Sequence, residues 1–183
     1  MTLTGTHPEI HRQIIEDCKL GKRKAQFRLY RLYAKAMFNI CYRMVNNRAD
    51  AEDLLQEAFT DAFIKLGSFR YESTFGAWIK SIVVNRCINH LKKRNPDVFI
   101  TDHLPDRHEE EEINYQDIRF RVDALQKAVG QLPEGYRVIL SLYLFEGYDH
   151  EEIASILGIS VSTSKSQYFR AKLKIREILT HTV

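Results

Sequence analysis

Three groups of side chains in this chain have the types and spacing to bind polyanions and charged protein surfaces. The first lies near the C-terminus. Between Lys165 and Arg176 stand Lys165, Arg170, Lys172, Lys174 and Arg176, with no acid. Cations this dense gain little from folding and gain contacts with backbone phosphates. The second group is the electrostatic opposite. Asp50, Glu52, Asp53, Glu57 and Asp61 follow one another with no cation among them. Asp50, Asp53 and Glu57 recur at steps of three and four, so on a helix they line one face. Such a face would repel DNA and suit a basic protein surface. The third group is basic again: Lys80, Arg86, Lys92, Lys93 and Arg94, with no acid, while Asn85 and Asn89 add hydrogen-bonding heads. A single charge run is usually a solvated face. Two runs of opposite sign on neighbouring helical segments point to two partners, protein on one side and nucleic acid on the other.

Bond-making chemistry has no comparable support. His7, His11, His90, His103, His108, His150 and His181 are scattered and are expected to be ordinary surface side chains. No Ser/His/Asp arrangement, phosphate loop or metal-ligand spacing occurs. Cys18, Cys41 and Cys87 are far apart and form no CxxC pair, which favours buried, reduced thiols over a metal or a disulfide. An enzyme is not expected, and neither is a cofactor or a metal.

The elements that must position these groups are helices. In Tyr148–Lys174, Ile153, Ala154 and Leu157 form one apolar face of a short helix. Gly158 then ends it where a left-handed residue costs little. Ser160 is a natural N-cap for the next helix, since its hydroxyl can accept from orphan amides. This is the anatomy of a helix-turn-helix, whose second helix enters the major groove of DNA. Further upstream, Phe27, Tyr30, Tyr33, Met37, Cys41 and Met44 make one stripe. Leu55, Ala58, Phe59, Ala62, Phe63 and Leu66 make a second, and Phe75, Trp78, Ile79, Ile82, Val83, Ile88 and Leu91 a third. Three such helices would share a core, with Trp78 a core aromatic. Ile10, Ile14 and Ile15 suggest a short helix packed on them.

Asn95-Pro96 breaks the third helix. From Asp102 to Glu112 come six acids and one arginine. Residues 96–116 read as a flexible acidic linker. Beyond it, Ile118, Val122, Leu125, Val129 and Leu132 mark another helix stopped at Pro133, and Glu134–Phe145 a further one. The expected fold is therefore all-α, with two small helical domains. An N-terminal domain of three or four helices covers 1–95, and a four-helix domain with the helix-turn-helix covers 117–183.

The chain has 183 residues, is 44% hydrophobic and 28% charged, and carries a formal net charge of only +3. It can bury cores, and the distribution of charge says more than its sum. The start, MTLTGTHPEIHRQ, lacks an apolar core and a cleavage signal, and no apolar run approaches a membrane span. A soluble cytoplasmic protein without membrane insertion is expected.

DAEDLLQEAFTDAFIKL (50–66), SFRYESTFGAWIKSIVVNRCINHLKKR (68–94) and the C-terminal helix-turn-helix, in that order, resemble bacterial RNA polymerase sigma factors of the sigma-70 family. The short two-domain form resembles the extracytoplasmic-function group, with no room for an N-terminal inhibitory domain or a third central domain. The resemblance covers about residues 20–180. It implies a factor that binds core polymerase, directs it to promoters and helps open the −10 region. The acidic helix would dock on a coiled coil of the polymerase β′ subunit through Asp50, Asp53, Gln56 and Glu57, with Leu54 and Phe59 adding apolar contact or packing. The β flap is a further implied contact. Single-stranded DNA at −10 would meet Lys65, Phe69, Arg70, Tyr71, Lys80, Asn85, Arg86 and Asn89. Of these, the Gly67–Thr74 loop would capture a flipped base, which needs a stacking or apolar pocket and polar groups for its edge. Double-stranded DNA at −35 would meet Ser162, Thr163, Lys165, Ser166, Gln167, Phe169, Arg170 and Lys174. An anti-sigma protein is a further implied partner.

Three residues depart from the family pattern. Tyr71 replaces the glycine usual after Phe-Arg. Ser164 occupies a position usually filled by a buried β-branched residue. Gln167 stands where an arginine is common, exchanging a charged contact for an amide that can read adenine. The alternative reading is a one-component helix-turn-helix regulator, with residues 20–95 sensing or dimerising. Such a regulator needs neither the acidic face nor the aromatic loop.

Overall fold

The apolar stripes wind into eight α-helices in the computed structural model, which describes residues 9–99 and 122–180. No strand occurs among the described residues. The helices are α1 (Arg12–Lys19), α2 (Arg23–Val45), α3 (Arg48–Lys65), α4 (Phe75–Arg94), α5 (Val122–Gln131), α6 (Glu134–Leu144), α7 (His150–Leu157) and α8 (Val161–Thr180), with one 3₁₀ turn at Leu66–Ser68. The chain divides into two units, Met1–His90 and Leu91–Val183. Most of the expected acidic linker, residues 100–116, lies outside the described residues, as does Ile118.

The first unit is built on α2, α3 and α4. Asn46 takes the left-handed conformation (φ 53) that asparagine tolerates and ends α2. Asn47 then caps α3, its side chain accepting from the Asp50 amide at 3.2 Å, so Asp50 is a first-turn acid that favours the positive end of the helix. The core takes Met37, Ile40, Cys41 and Met44 from α2, and Ala51, Leu54, Leu55, Ala58, Phe59 and Ala62 from α3. α4 contributes Phe75, Ile79, Val83, Val84, Cys87 and Ile88. The expected α2 stripe is corrected at its start. Phe27 is 63% exposed and Leu29 is fully buried, because the inward row runs Leu29, half-buried Tyr33, Met37 and Cys41 in steps of four and Phe27 falls outside it. Trp78 is half-buried against Phe69 and Phe75. Cys18, Cys41 and Cys87 are all buried free thiols.

The second unit packs α5, α6, α7 and α8. Its central helix α6 is buried almost all round, with Val138, Ile139, Leu140 and Leu142 at or near zero exposure. α7 opens with a capping box, in which the Asp149 carboxylate accepts from the Glu151 and Glu152 amides and Glu152 accepts from the Asp149 amide. Gly158 at φ 73 closes α7, and the Ser160 hydroxyl accepts from the Thr163 amide at 3.0 Å to start α8. These local signals make the helix-turn-helix legible before any packing is considered. Less expected is the segment just after α4. Phe99 is 2% exposed, and its carbonyl accepts from the Gln167 side-chain amide at 3.0 Å. A Cβ on Gly135 would stand 2.6 Å from the Val98 carbonyl oxygen, so only glycine lets that strip of backbone lie on α6. Val98 and Phe99, inside the expected linker, are therefore packed on this unit.

Candidate functional site

The acidic face stands on α3. Its outward row is Asp53, Gln56, Glu57, Thr60 and Ile64, all exposed at steps of three and four. Asp50 lies one turn earlier, half-buried, with His90 Nε2 3.5 Å from its carboxylate. Leu54 and Phe59 belong to the opposite side. They are 4% and 3% exposed, and the Phe59 ring meets Tyr30 edge-on at 4.8 Å between centroids. Of the two roles expected for them, apolar contact or packing, their burial on the inward side of α3 gives packing. The apolar group that does share the acidic face is Ile64, 76% exposed. The sequence reading missed it, although a period of 3.6 counted from Asp53 would have found it.

Arg86 also belongs with this face. Its Nε donates to Asp61 Oδ2 at 2.6 Å, and Nη1 donates to Glu57 Oε2 at 3.3 Å. Asp53, Gln56, Glu57, Thr60, Asp61 and Arg86 together line an open groove. The expectation that Arg86 meets DNA phosphates is corrected accordingly, because its fork is already engaged by two carboxylates. Lys80 sits differently from the exposed cations of α4. It is half-buried, and its neighbours at i+3, i+4 and i+7, Val83, Val84 and Cys87, are all buried. It therefore lies on the inner side of α4 with its stem along apolar surface.

On the other side of α4, Trp78, Ser81, Ile82, Asn85 and Asn89 form a row that is half-buried at its start and exposed at both asparagines. The Gly67–Thr74 loop precedes α4. Lys65 and Arg70 are exposed there, whereas Phe69 is 4% exposed and touches Tyr71, Phe75 and Trp78 with ring centroids 4.8, 5.9 and 5.2 Å away. Phe69 is thus the buried floor of an aromatic cluster. Tyr71 has φ 62, so a tyrosine here takes up the backbone conformation that glycine adopts at no steric cost.

On α8 the outward row is Ser162, Lys165, Ser166, Phe169, Leu173 and Arg176, exposed or half-buried at steps of three and four. Arg176 is on this row although the sequence reading named it only within the charge run. Thr163 and Arg170 flank the row, half-buried, and Lys174 lies off it, paired with Glu177 at 2.8 Å. Gln167 is corrected from a base contact to an interior residue. It is 2% exposed, between Ser164 and Ala171, both fully buried. The Ser164 hydroxyl meets His150 Nδ1 at 2.9 Å, and the imidazole stacks on Tyr143 with centroids 4.6 Å apart. His150 is thus not the surface group expected. Burial, with the Lys165 charge nearby, lowers its pKa below the ordinary histidine value, against an opposing pull from Asp149.

A helical unit with an exposed acidic helix beside an aromatic loop, followed by a capped helix-turn-helix, defines a DNA-reading protein that also docks on another protein. Comparisons with known proteins make the class specific. The model of sigma-70 region 2 matches residues 29–96, and that of sigma-70 region 4 matches residues 123–175. RNA polymerase sigma-H factor of Pseudomonas aeruginosa is 31% identical over 93% of this chain and 94% of its own length. The ECF RNA polymerase sigma factor SigW of Bacillus subtilis is 27% identical over 90% of this chain and 94% of its own. The chain belongs to the sigma-70 family of RNA polymerase sigma factors, in its extracytoplasmic-function group. Among solved structures, the sigma factor RpoE in complex with the anti-sigma factor NepR from Bartonella quintana superposes with a TM-score of 0.55 at 25% identity, over 84% of this chain and 95% of that one. CnrH, solved with the cytosolic domain of CnrY, shares the fold with a TM-score of 0.55 at 20% identity, over 94% and 98%. No helix among the described residues is long and apolar enough to cross a membrane.

Proposed function

We propose that this chain binds core RNA polymerase, brings it to particular promoters in the cytoplasm and helps open the −10 region, acting by binding alone and without catalysing a reaction. The observation that carries this reading is the α3 row of Asp53, Gln56, Glu57, Thr60 and Ile64. It joins carboxylates to one large exposed apolar side chain on a protein that otherwise carries DNA-binding charge. A regulator that only reads DNA has no use for such a face, whereas a dissociable polymerase subunit needs it.

Residues 1–95 are assigned docking and −10 opening, residues 117–183 the −35 element, and residues 96–116 the connection. Asp50, Asp53, Gln56, Glu57 and Ile64 meet the polymerase, with Arg86 holding Glu57 and Asp61 in place. At −10, Lys65, Arg70, Asn85 and Asn89 supply polar contacts to a melted strand, and the Phe69–Tyr71–Trp78 cluster supplies aromatic surface. Unpairing a base costs a few kcal/mol, which contacts to the unstacked bases offset. At −35, Ser162, Thr163, Lys165, Ser166, Phe169, Arg170 and Arg176 face the major groove and its phosphates. RpoE was solved in complex with the anti-sigma factor NepR, which supports an anti-sigma protein as a further partner here.

The test is reconstitution with purified core polymerase and a promoter library. Discrete transcript starts that depend on the chain are expected. Tight DNA binding without core, and no directed initiation with it, would sink the reading.

A further inference from the structure

A loop holds its side chains toward a ligand only as firmly as its backbone is held. At Tyr71 the backbone lies at φ 62, where a side chain crowds its own carbonyl and which persists only when neighbours over-determine it. Those neighbours come from α1 and the residues just before it. The Tyr71 phenol donates to Glu16 Oε1. Arg12 and Lys19 each stand 4.6 Å from the centre of its ring, a cation on a π face. Lys19 Nζ also donates to the Phe69 carbonyl at 3.1 Å and to Glu16 at 3.1 Å. At the far end of the loop, Glu9 Oε2 accepts from the Phe75 amide at 2.7 Å. The Glu9 side chain is only 5% exposed, and it supplies a negative charge at the start of α4, where a helix favours one. α1 and Glu9 just before it thus grip the loop near its start, at its middle and at the residue that follows it.

We propose that α1 is the brace that sets the conformation of the Gly67–Thr74 loop, with Glu16 and Tyr71 as positioning residues for base selection on the melted −10 strand. This rests on the reading of the loop as the base-capturing element. In that role the tyrosine does what a glycine alone could not. It reaches the left-handed conformation and is also tied to α1 by its hydroxyl and its ring.

Two substitutions isolate the tie from general packing. Tyr71→Phe keeps the ring and its cations and removes only the hydroxyl. Glu16→Ala removes the acceptor, while Glu16→Gln restores an acceptor without the charge. Each full-length variant is assembled with core polymerase and assayed on promoters carrying all four bases at each −10 position, with permanganate reporting unpaired thymines. Core affinity is measured in parallel. Tyr71→Phe and Glu16→Ala are expected to flatten the base preference at one −10 position about tenfold, the scale of one charge-assisted hydrogen bond, with core affinity within about twofold. Glu16→Gln is expected to recover most of that preference. Amide exchange at Arg70–Ser73 is expected to quicken in Glu16→Ala. Unchanged base preference together with unchanged exchange would overturn the brace. So would a loss of preference that merely tracks core affinity. If Lys65→Ala and Arg70→Ala also leave −10 preference untouched, the loop is not the base-reading element. That earlier reading then fails by itself, and exchange alone decides the brace.

Discussion

α3 and α8 are both recognition helices, yet their inner faces are built from opposite materials. Every inward position of α3 is apolar: Ala51, Leu54, Leu55, Ala58, Phe59 and Ala62. The recognition half of α8 turns Ser164, Gln167 and Ala171 inward. α3 is therefore held by packing, and its outward carboxylates are free to specialise. α8 is held in part by two hydrogen bonds, Ser164 to His150 and Gln167 to the Phe99 carbonyl. Buried polar groups specify one arrangement when satisfied and cost heavily when not. The docking helix should thus tolerate surface change and resist core change, while the DNA-reading helix should respond to single polar atoms.

The largest effect should come from the core of α3. Phe59→Ala is expected to lower stability by about 3–5 kcal/mol, as other buried aromatics do when truncated, and chemical denaturation measures it. If instead the fold is unperturbed and only polymerase binding falls, Phe59 is a contact residue after all. Next comes the double change Asp53→Arg with Glu57→Arg. It should weaken core binding about a hundredfold, or ~2.7 kcal/mol, while the isolated DNA affinity of the chain is kept. Survival of core binding would remove the acidic face from the docking surface. Ile64→Asp should cost about tenfold in core affinity with no loss of thermal stability, because the side chain is already in water. A drop in melting temperature would mean that Ile64 packs within the unit.

Smaller effects should mark α8. Ser164→Ala leaves a half-buried imidazole without its partner and should cost about 1 kcal/mol in the C-terminal unit. Equal or greater stability would show that the serine is a packing defect instead. The last effect is a pH slope. The folded unit binds a proton at His150 less readily than the unfolded chain, which titrates near 6.5. Stability is therefore fully present above about that pH and declines as pH falls toward the lowered folded value. His150→Phe should flatten this slope in thermal melts taken between about pH 7 and 5, and an unchanged slope would assign it to other groups.

Much of this was legible in the chain itself. Capping and turn chemistry are local, so Ser160, Gly158 and the Asn95-Pro96 break could be read from neighbours a few residues away. The acid row on α3 needed only helical periodicity. Errors arose where a residue's phase or partner is set by another helix. Leu54 and Phe59 were grouped with the acids around them as contact or packing, and the packing of α3 against its neighbours turns both inward. Arg86 was counted with the basic residues of its own helix, and its charge is spent on Asp61 and Glu57, 25 and 29 positions away. Gln167 sits amid cations in sequence and beneath Phe99 in space.

By itself the sequence determined the helices, their ends and the signs of their faces, because propensity, capping and periodicity act within a few residues. Tertiary structure alone decided which charges remain available to a partner, why Ser164 can be buried, and what holds Tyr71 in a glycine-like conformation. Hydrogen bonds and ion pairs between helices depend on atoms that the chain brings together only after it folds.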